Sequence, residues 1–170
     1  MHFAPLLHGS AAHGAIRDGV AIPIGPQHAL PLDLLGSGSI RMQALQQLVG
    51  NAVAVLGTAG WALTGYGSPF PLHVLSSTDG RPPQAYLHKW RVPTSGIIPG
   101  PYGRCTTPLQ TLADLCVAGL EATSWARALA VSCVAEQGPA ACRTQARQAL
   151  RGRRPAYLGL QRLDRLLAEL

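Results

Sequence analysis

The residues TTPLQTLADLC, 106–116, hold one carboxylate, Asp114, inside an apolar run. A carboxylate that binds metal or moves protons generally works with a second acid or an imidazole close by. No such partner stands at a recognisable spacing from Asp114. The nearest alternative lies upstream, where His73 and His88 flank TDGRPP and Lys89 adjoins the second histidine. A turn at Asp79-Gly80 would fold 69–77 and 84–92 into a hairpin and bring the two imidazoles together, as a nuclease or a nucleotidyl-transfer enzyme would require. Hairpins also carry histidines without chemistry.

Helical geometry supplies another role for Asp114. Thr107 is a good N-cap, Pro108 suits the first turn, and Gln110 stands three residues after the cap, which predicts a Thr-x-x-Gln capping box and a helix. At about 100° per residue, Leu109, Leu112, Leu115 and Cys116 share one arc, while Thr107, Thr111 and Asp114 form a polar stripe opposite. Asp114 is therefore read as architecture, not as a catalytic group.

A basic stripe is the strongest electrostatic feature. In CRTQARQALRGRRP, Arg143, Arg147 and Arg151 recur every four residues, and Arg153 and Arg154 extend the ribbon beyond the helix end. The stripe suits phosphates or an acidic protein surface, or it is a solvated helix face completed by arginines near a C-terminus. Nothing in it resembles a base-reading element. The chain carries a net charge of +6, and thirteen of its fourteen basic residues are arginine.

Four cysteines at 105, 116, 133 and 142 contain no C-x-x-C pair, so they are read as reduced and structural, with no metal site. A P-loop, a dinucleotide fingerprint and serine-nucleophile motifs are missing, and no cofactor is expected.

The elements that position these residues follow from patterning. With 47% hydrophobic and 13% charged residues, 19 glycines and 14 prolines, the composition suits a mixed globule better than a disordered chain or a helical bundle. Strands are expected in RDGVAIPIG (17–25), NAVAVLG (51–57), the two histidine-bearing runs and 102–105. Ser39 would cap a helix over 40–49, and Thr58 a short one carrying Trp61. PLDLLGSGS (31–39) reads as a loop. From Thr107 the period becomes helical, with helices near 107–118, 121–136, 139–151 and 156–169. The fold class is α+β: a small mixed or antiparallel sheet with short helices, then a C-terminal helical bundle. Residues 1–16 read as an irregular tail, 17–118 as the α/β core, and 119–170 as a helical segment packed on it. The N-terminus does not resemble a secretory signal and no run is long enough to span a bilayer, so a cytoplasmic protein with no membrane partner is expected.

Three pieces in this order resemble the AbiEi-type antitoxins of abortive-infection toxin-antitoxin systems and related actinobacterial regulators. They are RDGVAIPIG, AVAVLGTAGWALTGYGSPFPLHVLSS (52–77) and RCTTPLQTLADLC (104–116). The last is similar to the family's Thr-Ser/Thr-Pro-x-Arg-Thr-x-x-Asp-Leu element through Thr106, Thr107, Pro108, Thr111, Asp114 and Leu115. Gln110 stands where the family has arginine, and the sixteen residues before Arg17 are too few for the family's winged-helix headpiece. The resemblance implies a non-enzymatic antitoxin or regulator that binds a protein such as a cognate toxin, often a nucleotidyltransferase, with nucleic acid as another partner for the Arg-rich helix.

Overall fold

The computed structural model describes residues 6–75, 84–100 and 103–170. It is an α+β protein with two sheets and seven α-helices among these residues. No helix among them is long and apolar enough to cross a membrane.

The first sheet is antiparallel, in the order β1 (Leu7–His8), β3 (His28–Pro31), β2 (Ala21–Gly25), with α1 (Gly9–Arg17) packed against it. The reading of 1–16 as an irregular tail is therefore corrected for its described part. Leu7 pairs with Ala29 and His8 with His28, while Ala12 is buried with Ala21 and Ala29. That order is tertiary: a two-residue strand and a small-residue helix face give little local periodicity to read. Strand β3 supplies both pairings, although no strand was expected between Gly25 and the loop at 31–39.

The second sheet is mixed, in the order β6 (Ala85–His88), β5 (Leu72–Leu75), β4 (Val53–Ala54), β8 (Arg104–Thr106), β7 (Ile97–Ile98). Strands β5 and β6 are neighbours, as expected, but they run parallel, pairing His73 with Tyr86 and Leu75 with His88. The hairpin reading is corrected here. Alternation with period two fixes which face a residue takes and says nothing of strand direction. The Asp79-Gly80 turn lies outside the described residues.

Helices α2 (Gly38–Val49) and α3 (Leu56–Thr64) cover one face of this sheet and form the first core with Leu45, Trp61, Leu72 and Val74. The cap of α2 is Ser37, whose hydroxyl accepts from Ile40 N, and not Ser39. Thr58 does not cap α3 either. It lies inside the helix, and its buried hydroxyl donates to Pro69 O at 2.9 Å and accepts from His73 N at 2.8 Å.

The second core is helical, built from α4 (Pro108–Ala118), α5 (Ser124–Gln137), α6 (Pro139–Ala149) and α7 (Ala156–Ala168). All four lie within two residues of the expected spans, except that α5 starts three later, where Thr123 caps it by accepting from Ala126 N. Glycines let α5 sit close to α3. A Cβ on Gly60 would lie 2.8 Å from Trp125 Cβ, and one on Gly67 would lie 2.5 Å from the indole nitrogen. The Trp125 ring thus lies flat where side chains are missing, joining the helical half to the sheet half. All four cysteines are free and buried.

Candidate functional site

Helix α4 begins as its sequence dictates: Thr107 Oγ1 accepts from Gln110 N at 3.3 Å. The return half of the capping box is not made, because Thr107 N donates to Gly96 O instead. The Gln110 carboxamide is thereby released, and its Nε2 donates to Asp114 Oδ1 at 3.1 Å. Thr106 and Thr111, both fully buried, join their hydroxyls at 2.7 Å. The stripe of Thr111 and Asp114 therefore faces inward, away from solvent; Pro108 sits in the first turn and Leu115 in the apolar core.

Asp114 is fully buried. Its Oδ1 forms an ion pair with Arg153 Nη1 at 2.9 Å, and its Oδ2 has no hydrogen-bond partner. Burial raises the carboxyl to about 6, outweighing the opposing pull of Arg153 and Gln110. The same burial lowers Arg153, against the attraction of Asp114. Both shifts say that desolvation exceeds the pairing energy.

Arg153 was expected on the exposed ribbon, and this is corrected: only 11% of its side chain is accessible. The chain leaves α6 at Leu150, and the turn through Gly152 points Arg153 inward. Arg143 is exposed and paired with Asp164 at 2.7 Å. Arg147, Arg151 and Arg154 are exposed, and none of them makes an ion pair among the described residues.

The guanidinium carbon of Arg153 sits 4.1 Å from the Trp90 ring centre, a cation–π contact. Trp90 in turn lies 4.3 Å from the His88 ring. His88 Nε2 and His73 Nδ1 are 2.9 Å apart, so the two histidines do meet. Their ring centres are 5.2 Å apart; with a ring nitrogen roughly 1 Å from its centre, these rings join end to end through an N–H···N bond and do not stack. His73 is also 5.3 Å from Tyr86, its partner on the next strand.

One continuous ladder therefore runs from exposed Tyr86 through His73, His88, Trp90 and Arg153 to buried Asp114. Strand parity builds it: Tyr86, His88 and Trp90 alternate along one strand and its extension, and His73 faces the same way from β5. Burial lowers His73, and burial, His73 and Arg153 lower His88. Both imidazoles are thus held neutral near pH 7, one donating and the other accepting.

Asp114 and the histidines belong to one ladder without touching, since Trp90 and Arg153 stand between them. Tyr86 and Trp90 escaped the reading of the sequence although their two-residue spacing about His88 was visible. Nothing in the sequence marked Arg153 as the partner of Asp114. No family model, curated protein or solved structure matches this chain.

Proposed function

We propose that this chain is a non-enzymatic, antitoxin-like or regulator-like protein that works by binding an acidic partner through the ridge formed by Arg147, Arg151 and Arg154. One observation carries this reading: Asp114 is enclosed with Arg153 and Gln110, while Arg147, Arg151 and Arg154 face solvent and make no ion pair among the described residues. Exposed guanidiniums with no intramolecular partner attract phosphates or carboxylates over several ångströms and are screened by salt. The similarity of 104–116 to the antitoxin element supports a toxin as that partner.

The test is co-expression with the product of a neighbouring toxin gene. The wild-type chain should rescue growth, and the triple charge reversal Arg147→Glu, Arg151→Glu, Arg154→Glu should lose the rescue while remaining folded. Rescue by the reversed variant would remove the ridge from the mechanism. A second, enzymatic reading draws on the His73–His88 bond. It requires His73→Ala and His88→Ala to abolish turnover of a nucleic acid or nucleotide, and unchanged turnover would return both residues to structure.

A further inference from the structure

We propose that the exposed Tyr86 end of the β5–β6 face opposite the first core is a stacking platform for single-stranded nucleic acid, with Tyr86 taking an unpaired base and Arg151 and Arg154 taking phosphates. This rests on the reading of the chain as a binding protein and names a partner class for a surface that combines part of the ridge, Arg151 and Arg154, with Tyr86.

Three observations converge on that face. Tyr86 is 60% exposed and, unlike an isolated surface ring, lies beside a second ring, the His73 imidazole, at 5.3 Å. Successive aromatic rings on a sheet face, interleaved with cations, suit stacked bases without regard to sequence. The inner end of the ladder is Arg153 over Trp90, and Arg151 and Arg154 flank it in sequence, exposed and outside any ion pair among the described residues. Aromatic faces therefore adjoin excess positive charge, the combination that a polyanion with free bases satisfies. Strand β6 is also the edge of its sheet, with no further strand beside it among the described residues.

Chemistry favours a strand over a protein here. The exposed part of the platform is phenol and imidazole, while Leu75 on the same face is half-buried against the helical core; a protein hot spot is typically a desolvated apolar pocket. Leu87, the nearest exposed aliphatic residue, lies on the opposite face by strand parity. Duplex bases are already stacked on one another, so the platform discriminates in favour of single strands.

The experiment measures anisotropy of labelled probes with the whole chain at low salt, where phosphate contacts are strongest. The probes are an oligouridylate of about ten nucleotides, within the span of one stacking domain, a duplex of equal length, and an abasic strand. The oligouridylate should bind most tightly. Tyr86→Ala should weaken it about tenfold, Tyr86→Phe should restore it, and both should leave the abasic strand unchanged. Arg151→Glu with Arg154→Glu should weaken all three probes. Equal affinity for oligouridylate and abasic strand, or indifference to Tyr86→Ala, overturns the platform. If Tyr86→Ala abolishes rescue from a toxin but not strand binding, the face is a protein interface and the proposal falls. Failure of every probe with toxin rescue intact sinks the platform and spares the antitoxin reading; strand binding without rescue does the reverse.

Discussion

Two buried charges, one in each half of the molecule, are held in opposite ways. In the sheet half, Arg41 is 5% exposed and makes no ion pair with an acid among the described residues. Its guanidinium donates instead to the carbonyls of Ala62 at 3.0 Å, Leu63 at 3.2 Å and Leu35. These lie at the C-terminal end of α3 and in the turn before α2, where backbone oxygens lack helical partners. In the helical half, Asp114 draws on a single guanidinium from a turn 39 residues away and retains an oxygen without a partner. Arg41 is a plug that completes backbone hydrogen bonding. Asp114 is a tether between α4 and the turn after α6, and through Arg153 and Trp90 it reaches the sheet face.

The sharpest way to break that contrast is Arg153→Ala. It leaves Asp114 buried and unpaired, and the expected loss is about 3–5 kcal/mol at pH 8 in urea denaturation. The loss should shrink on acidification. The folded-state pKa of Asp114 already lies above its ordinary value, at about 6, and rises further without Arg153. Stability linked to the neutral acid is fully present below the unfolded pKa and is lost as pH rises through the folded one. The variant should therefore approach wild type near pH 5 and diverge above pH 7. Removing Arg153 also removes one cause of the depressed His88 pKa, so an upward shift of the His88 titration by NMR should accompany it. A penalty independent of pH would mean that Asp114 is not the group left stranded.

Arg41→Ala should cost less, about 2–4 kcal/mol, because it strands neutral carbonyls that water can reach in part. With no carboxyl involved, this penalty should be flat between pH 5 and 8. Arg41→Lys should recover only part of it, since one ammonium cannot span the fork that serves three carbonyls. A pH-dependent Arg41 penalty would erase the distinction between plug and tether.

The same contrast explains what the sequence disclosed. Helical period, Thr107-Pro108 and the glycines at 119, 138 and 152 locate α4 to α7, because those signals are local. The proximity of His73 and His88 was expected from a hairpin; the two meet instead across a parallel pair, so the pairing of the strands was legible and their direction was not. Of the first sheet only β2 was legible, inside RDGVAIPIG; β1 and β3 were not, because they are short and their order comes from distant pairing. Arg41 sits in a helix with ordinary spacing, and its role depends on carbonyls of a separate helix. Arg153 was assigned to the surface by continuity with a four-residue repeat, yet the repeat ends with α6 and Gly152 redirects the chain. Long-range partners of buried charges leave no periodic trace.

The smallest expected effect probes the joint between the halves. Thr58 is a buried hydroxyl inside α3, donating to Pro69 O and accepting from His73 N, while Val55 N donates to His73 O at 3.0 Å. The backbone of His73 is therefore held by α3 through Thr58 and by Val55, the residue before that helix, and α3 meets the helical core through Leu56 and Trp125. Thr58→Val preserves shape and removes the hydroxyl, so it should lower stability by about 1–2 kcal/mol, the cost of leaving a buried N–H unsatisfied. Its effect on the ladder should exceed that energy in reach: a freed His73 amide permits β5 to shift against β6 and loosens the 2.9 Å bond between the imidazoles. NMR of the imidazole nitrogens should then show faster exchange of the shared proton at unchanged global fold. If the bond persists unaltered in Thr58→Val, the histidine pair is positioned by its own strands, and α3 contributes packing alone.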